Sequence, residues 1–400
     1  MGDDSEREGR ASTGRLVLPA LFTSTVASYP TAIVVTVLLT EIGATFGTPV
    51  GVMGQIRTVS STVSLIIALL MGVLSVRFGH KTLLMMGLAI VALSALGCGL
   101  APSFGVMLAS YALAGLGVTI VTPMVTTLVA ENFPLEKRSG AIGWIGAGGG
   151  ITHIIGSALI GSIATLGGWR PAFLGYALPL SALGLMLAAK GLPSTQHRPR
   201  TAQGGSMAGF KGVLSNRSAV ACLVGTVFAS ASWQGLYFFT VSFMKQRFLM
   251  PINMAAMVYS GMSLGFTLGS LTSGRFVNRF GRKPITVFGI ITMSLCTIAA
   301  TNSPHLWLSV AVSLMGPFWG AFRNTGSSSL ILEQVPEYRG TAMSVRQAAL
   351  MLGTALGTGI GGLILLRYDW QMLGMALGAM GFVAAGIYHL LVTDPTIERR

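Results

Sequence analysis

Charge is what this chain of 400 residues has least of: Asp, Glu, Lys and Arg make up 10% of it, against 52% hydrophobic residues and a mean hydropathy of +0.70. That is too little charge to cover the surface of two or three water-soluble domains, and it excludes them. Acidic residues are scarcest, 12 against 26 basic ones, and each falls in a tail, a loop or the end of an apolar run. Cysteine is rare too. Cys98, Cys222 and Cys296 lie within apolar runs, form neither a CxxC pair nor a metal spacing, and read as small packing residues. No GxxxxGKS/T phosphate loop occurs, so ATP is not expected to supply work.

What the sequence has instead is apolar length. Runs of about 20 or more mostly apolar residues, enough to cross a bilayer, lie near 16–40, 51–76, 82–101, 105–130, 139–165, 170–190, 218–243, 253–277, 284–302, 306–332, 340–366 and 370–392. With 53 glycines to let helices pack backbone to backbone in lipid, they predict an all-α membrane protein of twelve transmembrane helices. Asp3, Asp4, Glu6, Arg7, Glu8, Arg10 and Arg15 make residues 1–15 a solvated tail rather than a cleavable signal peptide. A polar interval at 191–217 divides a first bundle, 16–190, from a second, 218–393, and 394–400 is a closing tail.

The net charge of +14 is dispersed over loops rather than gathered in a stripe, which argues for membrane topology and against nucleic acid. Nineteen of the 26 basic residues fall in tails and loops on the side of the termini; Arg170, Lys245, Arg247 and Arg367 lie opposite, and Arg57, Arg323 and Arg346 lie inside runs. The positive-inside rule therefore puts both termini in the cytoplasm and the protein in the cell membrane.

The chain repeats itself. GVLSVRFGHK at Gly72–Lys81 returns as GRFVNRFGRK at Gly274–Lys283, 202 residues on. Arg138, Ala141, Gly156, Gly161 and Trp169 return at Arg339, Ala342, Gly357, Gly362 and Trp370 with an offset of 201. One offset held over some thirty residues marks a duplication, hence two pseudo-symmetric six-helix bundles.

Two six-helix halves, a basic linker and a Gly-x-x-x-Asp-Arg-x-Gly-Arg-Arg turn after the second helix of each half resemble the major facilitator superfamily of secondary transporters, nearest to its drug and organic-solute antiporter branches. The resemblance covers essentially the whole chain. The first turn keeps Gly72, Arg77, Gly79 and Lys81, with Val76 for the Asp and His80 for an Arg; the second keeps Gly274, Arg279, Gly281, Arg282 and Lys283, with Asn278 for the Asp. The resemblance implies that these turns hold the cytoplasmic side shut, more weakly in the first half, where Val76 accepts no hydrogen bond. Plain positive-inside anchoring is the alternative reading. Tyr111 stands where the family's Arg-x-x-x-Gly-x-Gly segment has its Arg, and Ser157 where its Gly-Pro-x-x-Gly-Gly segment has Pro, both departures from an ordinary proton-driven drug pump.

An ionisable side chain deep in a bilayer costs at least about 2.5 kcal/mol, so Arg57, His153, Arg323 and Arg346 each need a reason. No carboxylate accompanies them, and an unpartnered guanidinium favours an anion, which it holds bidentately. Arg323, with Trp319 and Ser327 one turn to either side, is the leading candidate; satisfying helix-end carbonyls is the alternative. The resemblance implies that the first, fourth, seventh and tenth helices line a central cavity. On that basis Ser24, Ser28 and Thr31, then Thr119, Thr122 and Thr126, then Ser230, Gln234 and Tyr237 are expected around a hydroxyl-lined pocket with one fixed positive charge. Arg57 reads as an outer gate or as a snorkelling helix-end residue. Arg346 is placed at an inner gate with Glu131 or Glu333 as partner. His153 shares a face with Gly146, Gly149 and Gly156 and is either interhelical glue or a proton carrier. The glycine faces GAGGGITHIIGSALIG, GMSLGFTLGS and GTALGTGIGG suit a sliding interface between halves or static packing.

The expected function is secondary active transport of a small organic solute, anionic or polar, by rocker-switch alternating access. A multidrug or hydrophobic-compound efflux antiporter and a lipid flippase on the same fold are the alternatives. The expected partners are the substrate, the bilayer, and protons or a counter-anion. Nucleic acid, cofactor and metal are not implied, and the protein is expected to be a monomer. No nucleophile, acid–base pair or metal cluster at membrane depth suggests an enzyme.

Overall fold

In lipid an exposed backbone finds no hydrogen-bond partner, so each apolar run must close its bonds within itself as a helix. A computed structural model describes residues 16–193 and 207–394. The predicted tails and the centre of the linker, with Arg7, Arg10, Arg15, Arg198, Arg200, Arg399 and Arg400, lie outside the described residues. The long helices are α1 Leu16–Val37, α2 Val50–Arg77, α3 His80–Leu100, α4 Phe104–Asn132, α5 Leu135–Gly167 and α6 Trp169–Gly191. The second half has α7 Arg217–Phe248, α8 Ile252–Phe280, α9 Arg282–Asn302, α10 Leu306–Gln334, α11 Arg339–Arg367 and α12 Trp370–Leu391. Eleven are long and apolar enough to cross a membrane by composition alone; α10, at 29 residues, has the length and carries Arg323 and Asn324 in its interior.

Local chemistry sets the breaks. Pro30 lacks an N–H and bends α1 after Tyr29, and a short helix, Leu39–Thr45, continues the chain. A π-helical turn at Ala172–Ala177 follows Pro171 inside α6. Asn216 and Asp369 cap α7 and α12 by accepting from the backbone N–H groups of Ala219 and Met372 at 3.0 and 2.9 Å. Several helices outrun their apolar stretch: α5 starts at Leu135 rather than 139, and α7 continues to Phe248 rather than 243. Apolarity marks the stretch suited to lipid, whereas the hydrogen-bond ladder runs on past its ends. The polar linker ends in a helix, Met207–Ser215, whose Val213 is buried in the core of the second half.

The repeat is visible in the packing. In the first half Gly87 of α3 lets α4 approach until an added Cβ would sit 2.9 Å from Val121 and 3.1 Å from the Gly117 carbonyl. At its equivalent, Gly289 of α9, an added Cβ would meet the Arg323 backbone nitrogen at 2.8 Å and the Trp319 carbonyl at 2.9 Å. The same close crossing therefore occurs twice, 202 residues apart.

The halves meet through α2 against α11 and α5 against α8. Thr58 bonds Thr358 at 3.0 Å, Ser157 bonds Ser260 at 2.6 Å, Thr40 donates to Ser242 at 3.0 Å, and Lys245 pairs with Glu41. These contacts lie toward the side opposite the termini. There one continuous apolar core runs across both halves, from Ile33 and Leu38 to Phe239 and Phe243. On the terminal side the core divides in two, one cluster around Leu84 and Val125 and another around Ile290 and Leu330. The halves are thus joined on one side and parted on the other.

The glycine faces have mixed duties. Gly51, Gly54, Gly359 and Gly362 bring α2 and α11 together, and Gly150 and Gly161 set α5 against α8, both between halves. Gly261, Gly265 and Gly269 of the α8 face instead press on Leu314 and Phe318 of α10, and Gly353 on Val227 of α7, so that part of the expected sliding surface is static packing within one half.

Candidate functional site

A cavity of about 630 Å³ lies between the halves, walled by α1, α2, α4, α5, α7, α8 and α11. Its lining begins at Arg57, Tyr111, Tyr237 and Tyr259 near the joined side and runs to Met71, Thr126, Met343 and Ser344 toward the termini. The parted cores leave it accessible from the terminal side. No carboxylate lines it among the described residues, and Arg57 is its one fixed charge.

Arg57 is half-buried on α2 and donates from one terminal nitrogen to the Tyr111 hydroxyl at 3.3 Å. Tyr111 occupies the α4 position where the resembling family carries Arg, so here the guanidinium reaches that point from α2 instead. Tyr259, which matches Arg57 across the repeat, packs in a tilted arrangement on Tyr237 with ring centroids 4.6 Å apart. The Tyr237 hydroxyl bonds Ser263 at 2.9 Å, and Trp233 stacks behind the Tyr237 ring at 5.0 Å. Arg57 also acts electrostatically on Tyr237, Tyr259 and His153. The result is a single cation held by the Tyr111 hydroxyl beside two further tyrosines, with most of its N–H groups unspent.

His153 lines the same cavity. Its ring packs on Tyr29 at 5.0 Å, and its Nδ1 lies 3.0 Å from the Gly149 carbonyl one turn back in α5. That bond is internal to α5, so the expected hydrogen-bonding glue to another helix is not made. Thr119, Thr122, Thr126, Gln234 and Tyr237 face the cavity as the sequence suggested.

Other expectations are corrected. Arg323 is not in the lining: it is 4% exposed inside the second half, where α9 and α10 cross. Trp319 joins an aromatic cluster with Phe288, Phe318 and Phe322, and Ser327 is buried beside Arg346. Ser24 and Ser28 spend their hydroxyls on the Ala20 and Thr25 carbonyls of α1, Thr31 is buried, and Ser230 donates to the Leu350 carbonyl at 2.9 Å. The stripes were assigned by helix number, but the rotation of α10 and the bend of α1 turn these faces into their own bundles. Arg346, 5% exposed, donates to the Asn324 side-chain oxygen at 2.7 Å and to Ser327 at 3.2 Å, not to either glutamate. Glu131 is taken by His80 at 2.6 Å and Glu333 by Arg282 at 3.4 Å. Residues not expected in the pocket complete the wall: Tyr29, Ser60, Ser61, Ser64, Tyr111 and Tyr259. The polar run SSTVS within α2 was the available signal.

The basic turns do not bridge the halves. Lys81 donates to the Ala189 and Leu192 carbonyls at the end of α6, at 2.9 and 2.6 Å, and Arg77 and Arg279 lie over Phe78 and Phe280. Asn278 is exposed, and Gly281, at φ +92°, makes a turn that suits glycine. Gly72 and Gly274 lie within α2 and α8, and Gly79 has an ordinary negative φ of −63°. A latch between halves needs the terminal side closed, and here that side is parted.

Two like bundles of six membrane-spanning helices around a central cavity are the architecture of a secondary transporter. The family model described as Major Facilitator Superfamily matches residues 20–248 and 222–400, and the chain belongs to that superfamily. It is 24% identical over 361 residues to an uncharacterised MFS-type transporter of Bacillus subtilis (strain 168), YbcL, covering 89% of this chain and 90% of that protein. Multidrug resistance protein 1 of the same organism is 22% identical over 293 residues, 72% of this chain and 74% of that one. Among solved structures, the nucleoside transporter NupG superposes with a TM-score of 0.81 at 16% identity, covering 94% of this chain and all of that one. The protein is therefore an integral membrane transporter and not an enzyme.

Proposed function

We propose that the protein moves a small organic anion, or a polar solute with an anionic group, across the cell membrane by alternating access, with Arg57 holding the negative group. The observation that carries this reading is a cavity with one guanidinium, four tyrosines and no carboxylate among its described lining residues. A guanidinium grips a carboxylate or phosphate in two parallel hydrogen bonds, and Gln234, Ser61 and Thr122 supply neutral donors and acceptors for the rest of the molecule. With the basic residues gathered on the side of the termini, both termini face the cytoplasm, and the parted side is the inward one. The glycine contacts of α2 with α11 and α5 with α8 are the surfaces on which the halves rock.

The aromatic and methionine lining supports a second reading, efflux of hydrophobic compounds, and the likeness to a multidrug resistance protein points the same way. Uptake into proteoliposomes separates the two. Labelled organic anions should accumulate with the native protein and fail to do so with Arg57→Gln. Movement of lipophilic cations that is indifferent to Arg57 would replace the first reading by the second.

A further inference from the structure

The second half contains a charged island that the first half lacks. Across the repeat, Arg323 corresponds to Val121, Ser327 to Val125 and Arg346 to Ile145, and those three aliphatic residues belong to one buried apolar cluster. In the second half the same place in the wall holds two guanidinia, 4% and 5% exposed, which act electrostatically on each other. Arginine does not give up its proton in a protein, so both are cations.

Their hydrogen bonding is incomplete. Arg346 spends one terminal nitrogen on the Asn324 side-chain oxygen at 2.7 Å and on Ser327 at 3.2 Å. Its Nε is buried with no partner, and so are Nε and one terminal nitrogen of Arg323. The neighbouring hydroxyl, Tyr388, lies 2.9 Å from Thr226 and donates to the Cys222 carbonyl at 3.0 Å, so it is committed elsewhere. The carboxylates expected to serve Arg346, Glu131 and Glu333, are bound to His80 and Arg282. Two buried like charges with unspent N–H groups and, among the described residues, no carboxylate paired to them call for an anion from solution.

We infer that Arg323 and Arg346 hold a small univalent inorganic anion of halide size inside the second half, at a site separate from the transport cavity. A halide accepts several N–H groups from different directions and brings one negative charge to a pair of positive ones. Both guanidinia are almost fully enclosed, at 4% and 5% exposure, which argues for a monatomic ion over a bulky oxyanion. The bound ion becomes part of the wall of the second half, doing for two guanidinia what aliphatic packing does at Val121 and Ile145.

The test uses the purified full chain in detergent, unfolded by heat in chloride, bromide or gluconate at equal ionic strength. Chloride and bromide should raise the midpoint saturably by about 2–4 °C over gluconate. The double variant Arg323→Val, Arg346→Ile, which copies the first half, should lose that difference, while Arg57→Gln should keep it. Independence of anion identity in the native chain overturns the inference. So does a halide effect that vanishes in Arg57→Gln, which would place the ion in the transport cavity. Should the double variant fail to fold, bromide anomalous diffraction from the native protein decides: a peak within hydrogen-bonding reach of both guanidinia supports the site, and its absence there removes it.

Discussion

The two halves share a backbone plan and differ in where they keep their positive charge. In the first half the interior guanidinium, Arg57, faces the cavity, and the α3–α4 crossing is apolar around Val121. In the second half the cavity wall carries Tyr259 in place of Arg57, while Arg323 and Arg346 are sealed within the bundle. Even the braces at the base of α3 and α4 differ: His80–Glu131 in one half answers to Arg282–Glu333 in the other, with the same spacing of 51 residues. Helix crossings are set by glycine and small-residue contacts, which the duplication kept. Charge is set by side chains, which it did not.

Moving charge between the halves tests this comparison most severely. Val121→Arg would bury an unpaired guanidinium in an aliphatic cluster and should cost about 3–5 kcal/mol of stability, read as loss of folded protein by size-exclusion chromatography, whereas Arg323→Val should be tolerated. Equal tolerance of both would mean the two crossings are not distinct environments.

A smaller effect is expected at the cavity. Arg57→Tyr should lower organic-anion uptake about 10–100-fold, the worth of a charged hydrogen bond. Adding Tyr259→Arg should restore part of it, because both positions line the same space. No rescue would show that the side of the cavity matters as well as the charge.

Across the joined side, Glu41→Gln removes the ion pair with Lys245, whose side chains are 21% and 23% exposed. A partly exposed pair is worth about 1 kcal/mol, so opening of that side should rise about fivefold, read by labelling of a cysteine placed at Ser242. Smallest is His80→Arg, which rebuilds the second half's brace in the first. It should move the unfolding midpoint by no more than about 2–4 °C; a larger shift would make that brace a structural difference between halves rather than a local one.

Much of this was readable in one dimension. The twelve helices, the duplication and the shortage of interior carboxylates follow from run lengths and residue counts, while a single cavity cation was an expectation carried by the family resemblance. The identity of that cation did not follow, nor did the placement of Ser28, Ser230 and Ser327 away from the cavity. The polar stretch SSTVS in α2 was on display but pointed to no wall in particular, because a helix has several faces and the sequence does not name its neighbours.

Run length and repetition alone determined that the chain spans a membrane as two kindred bundles, because a bilayer imposes a length and a gene duplication leaves an offset. Which buried arginine meets the cavity was decided only in three dimensions. One residue turns a helix face by about 100°, and the bend at Pro30, the glycine crossings and the packing of α10 on α8 and α9 together set that rotation. Arg57 and Arg323 look alike in the sequence; their neighbours in space make one a candidate substrate anchor and leave the other enclosed in the wall.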